Sequence, residues 1–184
     1  MKPKVVFLHL MGTHGAYKKR YPDGFDLFQT SPKSKFNLNE SAKNRINEYD
    51  TAVKYNDSIV FEIIKKVKSK QSSGAVLYFS DHGEDVYSTT SDFLGHNGYY
   101  STTPMFEIPF IFWQSEAYKE LNPSIQAISN IEARSYILED FIHTFIDVLG
   151  VSSNIYIEER SILNPKFKPK KRIVKSDTNY DETP

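Results

Sequence analysis

Ser80-Asp81-His82-Gly83-Glu84 sets four polar side chains and a glycine directly behind the apolar run Ala75–Phe79. A carboxylate beside an imidazole can offer one oxygen and one nitrogen to a single cation, a pairing that suits zinc. Gly83 would let the backbone turn sharply, or approach a ligand closely, just after that pair. His96 follows a Ser/Thr-rich loop that could fold back over the same place. A second apolar run, Val5–Leu10, also ends in a histidine-bearing corner, Met11-Gly12-Thr13-His14-Gly15. Ligands of open α/β sheets bind beyond the carboxyl ends of the strands, so His14, Asp81, His82 and His96 are expected to converge in one cleft. By itself, the tripeptide DHG fits a solvated turn at a strand end equally well. The other two of the five histidines read as structural: His9 alternates within a strand pattern, and His143 lies in a helix beside Ile142 and Phe145.

The elements that must position these groups follow a strand–helix–strand order. Val5–Leu10 and Ala75–Phe79 read as strands buried on both faces, which is the pattern of a parallel sheet covered by helices. Between them a long helix is expected from an Asn39 cap to about Lys70. Its amphipathic stripe is Ile46, Tyr49, Val53, Ile59, Ile63 and Val67, and its last turns carry Lys65, Lys66, Lys68 and Lys70, where cations complement the helix dipole. This is the grammar of a right-handed crossover in a parallel sheet. Ile108–Trp113 reads as a further strand, with Pro109 at its start or on an edge. Arg134–Leu149 reads as a second amphipathic helix, with Leu138, Phe141, Ile142, Phe145 and Leu149 on its apolar side and Gly150 as the stop. Two long helices are few for covering such a sheet, so an exposed apolar patch is expected.

Composition bounds what else the chain could do. Hydrophobic residues make up 39%, with 13 Phe and 12 Tyr, which is a globular composition. Lys plus Arg and Asp plus Glu number 23 each, so net charge gives no argument for nucleic acid. Cysteine is absent, which removes disulfides, thiol catalysis and thiolate metal sites. No apolar run approaches the ~20 residues that span a bilayer. The start, Met1-Lys2-Pro3-Lys4 followed by Val5–Leu10, does not read as a signal peptide, because His9 and the polar residues after it interrupt the run. One domain part, residues 1–163, is followed by a basic, polar tail, 164–184, read as a poorly ordered extension.

Five blocks occur in the order and approximate spacing of the C-terminal half of the phosphoethanolamine transferases, which are sulfatase-like enzymes of the alkaline phosphatase superfamily. They are HLMGTHGAYKKRYP (His9–Pro22), YDTAVKYNDSIV (Tyr49–Val60), YFSDHGEDVY (Tyr78–Tyr87), FLGHN (Phe93–Asn97) and EIPFIFW (Glu107–Trp113). The resemblance runs from about residue 4 into the tail, where ERSILNPKFKPKKRIV and Asn179-Tyr180-Asp181 also look familial. SDHGEDVY with GHN is closer to the branch acting on lipopolysaccharide core than to the lipid A branch.

The resemblance implies an α/β sandwich of alkaline phosphatase-like architecture, mostly a parallel sheet flanked by helices, of which this chain is a partial domain. It implies zinc, with Asp81 and His82 as ligands. His14 and His96 match residues that face the transferred phosphoryl group or a second zinc, and Glu84 matches a neighbouring residue that supports the ligands or contacts the head group. His9 matches a motif position without a settled role. The chain reads Gly95-His96-Asn97 where many members have glycine after the histidine, which weakens the match of the surrounding contacts. The implied reaction moves phosphoethanolamine from phosphatidylethanolamine to a lipopolysaccharide acceptor, core or lipid A, through a phospho-threonine, at the periplasmic face of the inner membrane.

The family's nucleophilic threonine and its transmembrane helices lie upstream of the HLMGxH block, so Thr13, Thr51 and Thr102 are not the nucleophile. The chain therefore resembles the latter part of a gene, and the missing N-terminal half of the catalytic domain is an expected partner. Two rivals remain open. One is another enzyme of the superfamily, a sulfatase or phosphoglycerol transferase; the other is a non-catalytic remnant or partner-binding fragment.

Overall fold

The computed structural model describes residues 4–25, 27–29, 31–99, 101–175 and 178–182. Met1-Lys2-Pro3 and, within the tail, Ser176, Asp177, Thr183 and Pro184 lie outside the described residues. The elements in chain order are α1 (Glu40–Lys68), β1 (Ala75–Phe79), β2 (Asp85–Val86), β3 (Leu94–Gly95), α2 (Thr103–Phe106), β4 (Phe110–Gln114), α3 (Glu116–Leu121), α4 (Pro123–Gln126), α5 (Phe141–Leu149), β5 (Ile173–Val174) and β6 (Thr178–Asn179), with short 3-10 turns between them. They fall into two compact units, Met1–Ile63 with His82–Glu107, and Ile64–Asp81 with Ile108–Pro184.

The first unit is built on α1. Asn39 starts that helix as expected: its side-chain oxygen accepts from the Ala42 amide at 2.9 Å, satisfying one of the donors a helix start leaves unpaired. The helix ends at Lys68, two residues before the expected stop. Its buried positions are Ala42, Thr51, Ala52 and Val60, whereas Val53 of the expected stripe is exposed. The reason is a small-residue face. At Ala52 the helix surface is low enough for Tyr17 and Tyr21 to pack against it, and Tyr49, Tyr55 and Phe25 complete an aromatic cluster around them. Tyr17 meets Tyr49 edge-on at 5.1 Å, and Phe25 meets Tyr55 at 5.0 Å, the geometry that ring quadrupoles favour.

Val5–Leu10 is not a strand. Val6 is 74% and Phe7 78% exposed, and Val5 and Leu8 are at least half exposed. A β-branched run becomes a strand only when a neighbour takes its backbone hydrogen bonds in register, and none of the described sheets includes it.

The second unit is organised by β1 and β4, which pair antiparallel from Ala75↔Gln114 to Phe79↔Phe110. All described strand pairs are antiparallel, which corrects the parallel pairing read from the strand–helix–strand order. The crossover rule presumes a second strand at the first position, and Val5–Leu10 does not supply one here. Pro109 stands just ahead of β4, where its missing N–H costs no ladder bond. Ser115 closes the far end: its amide donates to the Gly74 carbonyl at 2.9 Å, and its hydroxyl accepts from the Gly74 and Tyr118 amides, capping α3.

The core of this unit is Tyr118, Ile125, Ile162 and Leu163, with Ala75, Phe112, Ile131, Tyr136 and Val148 packed against it. Arg134–Leu149 is not one helix. Leu138–Asp140 is a 3-10 turn, and the α-helix begins at Phe141. Arg134 stays outside the helix because its guanidinium donates to the Ile162 and Asn164 carbonyls at 2.6 and 2.7 Å. The buried side of α5 is His143, Thr144 and Ile146, while Ile142 and Leu149 are exposed. Polar atoms decide this: Thr144 Oγ1 accepts from the Ile162 amide and bonds the Tyr136 hydroxyl, and His143 Nδ1 accepts from the Ile157 amide. His143 is therefore structural, as expected. Gly150 ends the helix at φ 61, with its amide returned to Asp147, as the sequence indicates.

Beyond Asn164 the described tail has defined partners, unlike the loose extension expected. Lys170 reaches the buried Asp140 at 3.0 Å, the Lys168 amide donates to Glu159, and β5 and β6 form a small hairpin where Arg172 pairs with Asp181. No described helix is long and apolar enough to cross a membrane.

Candidate metal and phosphoryl site

β2 and β3 make the local frame. Their register, Asp85↔Gly95 and Val86↔Leu94, places the residue before one strand, Glu84, beside the residue after the other, His96. The connecting loop is drawn in by Asp85, which is fully buried and whose Oδ1 accepts from the Ser88 and Thr89 amides at 2.8 and 3.3 Å. Its Oδ2 is buried without a hydrogen-bond partner among the described residues. Gly83 explains the other side of the corner. Its amide donates to the Met105 carbonyl at 2.8 Å, and a Cβ there would lie 2.1 Å from the Pro104 oxygen and 2.5 Å from that of Glu107. The close approach at Gly83 is to the backbone oxygens of Pro104 and Glu107. No larger residue fits.

Three side chains converge on this frame. His82, Glu84 and His96 each present one ligand atom, all within 4.8 Å of one another. The imidazoles of His82 and His96 lie with ring centroids 3.6 Å apart. Glu84 Oε1 is 3.0 Å from His96 Nδ1, and Glu84 Oε2 accepts from the Tyr17 hydroxyl at 2.9 Å. His82 Nδ1 lies 2.9 Å from the Gly83 carbonyl, which can only accept, so this nitrogen donates in that contact. Two imidazoles and a carboxylate form a donor set that zinc accepts. His82, Glu84 and His96 could each serve such an ion.

Tyr17 is almost fully buried, at 3% exposure. Burial first, and the Glu84 charge second, push its phenol far above the usual tyrosine range, so it remains a donor.

Of the residues singled out in the sequence, His82, Glu84 and His96 are brought together. Asp81 and His14 are exposed and lie outside this three-residue group. His14 sits in a braced corner: its amide donates to Met11, and Arg20 donates to the His14 and Gly15 carbonyls at 2.8 and 2.7 Å. His9 is exposed and lies outside any strand. Sequence reasoning missed Tyr17 and Asp85. Tyr17 falls inside the quoted HLMGTHGAYKKRYP block, which was its available signal. Asp85 left none, because a carboxylate after Glu84 reads as one more solvated charge.

The Sulfatase family model matches residues 1–151, and the chain belongs to that family. Its relatives within it are phosphoethanolamine transferases. It is 38% identical over 173 residues to phosphoethanolamine transferase EptC of Escherichia coli K12, and 37% identical over 173 residues to CptA of Salmonella typhimurium, covering 93% of this chain in each case. Among solved structures, the C-terminal periplasmic domain of Escherichia coli EptC in complex with Zn superposes with a TM-score of 0.86 at 36% identity, over 94% of this chain and 50% of that one. The corresponding domain of Campylobacter jejuni EptC gives 0.69 at 28% identity, over 88% of this chain and 52% of that one. The alkaline phosphatase-like fold is therefore that of these domains. The chain spans 30% of the length of the EptC and CptA relatives it matches.

Proposed function

We propose that this chain supplies the C-terminal half of a zinc-dependent phosphoethanolamine transferase site, working at the periplasmic face of the inner membrane on a lipopolysaccharide-type acceptor. The observation that carries the reading is the convergence of His82, Glu84 and His96 on one corner of a chain whose relatives are phosphoethanolamine transferases. A Kdo(2)-lipid A phosphoethanolamine transferase of Escherichia coli is also similar, at 28% identity over 128 residues, which supports a glycolipid acceptor. The Zn complex of the EptC domain supports the metal.

In this reading Asp81 and His82 hold the zinc, as the family resemblance implies. When bound, the ion lowers the pKa of a coordinated hydroxyl and offsets charge on the phosphoryl oxygens. His14 and His96 contact the transferred phosphoryl group, and Glu84 supports His96 through its Oε1. A threonine hydroxyl attacks the phosphorus of phosphatidylethanolamine and diacylglycerol leaves with its oxygen. The acceptor oxygen then attacks the phospho-threonine and restores the hydroxyl. The matched blocks hold no threonine at the nucleophile position, so a further polypeptide segment supplies it. The exposed Val5–Leu8 run is the apolar surface such a segment would cover.

Zinc titration by calorimetry on the chain, beside Asp81→Ala and His82→Ala and a transfer assay with phosphatidylethanolamine, tests this. Weak zinc binding that falls at least tenfold in both variants, with no turnover by the chain alone, is the expected result. Tight binding indifferent to both substitutions overturns the metal assignment. Turnover by the chain alone places the nucleophile within it.

A further inference from the structure

Glu84 is built into the protein more deeply than a group meant to meet substrate. Its side chain is 6% exposed, whereas that of its neighbour His96 is 40% exposed. Both of its oxygens are committed, Oε1 to His96 Nδ1 at 3.0 Å and Oε2 to the Tyr17 hydroxyl at 2.9 Å. Tyr17 is held in turn by the edge of the Tyr49 ring and by Ala52, so the hydroxyl has little freedom to turn elsewhere. Gly95 keeps this packing open: at φ 105 it adopts a backbone that side chains resist, and a Cβ would lie 3.4 Å from Glu84 Oε2.

A carboxylate can only accept hydrogen bonds, so a His96 nitrogen facing it must carry the proton. We propose that Tyr17 and Glu84 are positioning residues that hold neutral His96 as its Nδ1–H tautomer, leaving Nε2 as a bare lone pair at the site. Tyr17 fixes the far oxygen of the carboxylate, which sets the angle of the near one, and the near one selects which imidazole nitrogen is protonated. An imidazole in solution samples both tautomers and presents the lone pair only part of the time. Held in this way, His96 presents it continuously, to a zinc ion or to a proton donor on a phosphate-bearing substrate. Of the two roles the resemblance implies for Glu84, the chain of contacts from Tyr17 through Glu84 to His96 favours support over a head-group contact. The proposal rests on the transferase reading only for what Nε2 meets; the tautomer itself does not depend on it.

The test is long-range proton–nitrogen correlation NMR on the full chain with labelled histidine, freed of metal by chelation, at a pH above the usual imidazole range. His143 is an internal reference of opposite sign, since its Nδ1 accepts from the Ile157 amide and its proton must sit on Nε2. The expected wild-type pattern is a dominant Nδ1–H form for His96 beside an Nε2–H form for His143. Glu84→Gln, whose amide can donate to Nδ1, is expected to reverse the His96 pattern to Nε2–H. Tyr17→Phe keeps the ring, and is expected to move His96 from one dominant form to a mixture. Should Glu84→Gln fail to fold, seen as loss of the His143 signature, Tyr17→Phe decides alone. An Nε2–H pattern for His96 in the wild type, or an unchanged Nδ1–H pattern in the folded variants, overturns the proposal. Failure of zinc binding or transfer would count against the transferase reading and leave this result standing, so the two are separable.

Discussion

The two compact units use their polar groups differently. In the unit of Ile64–Asp81 and Ile108–Pro184, buried polar groups serve the fold: Thr144, His143 and Asp140 each bind another segment of the same unit, and the tail is tied down through Lys170. In the unit of Met1–Ile63 and His82–Glu107, a buried carboxylate and a buried phenol are instead arranged behind a half-exposed imidazole pair. The same unit leaves the apolar Val5–Leu8 run in solvent. This unit carries the His82, Glu84 and His96 group. Site-bearing segments are drawn from regions where stability has been traded for accessible polar groups.

Substitutions can break or sharpen this division. The largest expected effect is at Gly83, where any Cβ collides with the Pro104 and Glu107 carbonyl oxygens and only a backbone shift can relieve it. Gly83→Ala is expected to destabilise the protein by about 3 kcal/mol or more, at the upper end of overpacking costs, and to abolish zinc binding. Urea unfolding and zinc calorimetry check this; a variant with near wild-type stability and intact zinc binding would show that the corner is not pinned.

A smaller effect is expected from Asp140→Ala in the other unit. The buried carboxylate holds Lys170 at 3.0 Å and Arg160 at 3.5 Å, and its loss leaves both cations without it. The expected cost is about 2 kcal/mol, below that of a fully buried pair because both cations are partly exposed. Zinc affinity is expected to stay unchanged. A drop in zinc affinity as large as that of His82→Ala would show that the two units do not divide scaffold from site. Smallest is Asn39→Ala, which removes the cap on α1 and is expected to cost about 1 kcal/mol in urea unfolding. An unchanged midpoint would mean that packing against Ala42, Ala52 and Val60 alone sets the helix start.

The sequence by itself determined whatever depends on neighbours along the chain. The Asn39 cap, the Gly150 stop, the Ala75–Phe79 strand, the strand after Pro109 and the polar corner at Asp81-His82-Gly83-Glu84 are all local signals, and each is present. Blocks in order also sufficed to indicate the family. Tertiary structure decided the rest. Parallel pairing for Ala75–Phe79 was read from element order, yet its described partner is β4, antiparallel, because hydrogen-bonding partners are chosen in space. Val5–Leu10 has strand composition and no strand, since composition cannot provide the neighbouring backbone a strand requires. The buried faces of α1 and α5 are set by Ala52 under two tyrosines and by the hydrogen bonds of Thr144 and His143, which a hydrophobic stripe cannot register. The site divides in the same way. His82 and Glu84 are legible as a motif, but Glu84 meets His96 twelve positions later and Tyr17 sixty-seven positions earlier. Burial turned a carboxylate and a phenol into partners, and only the folded chain places them within hydrogen-bond reach.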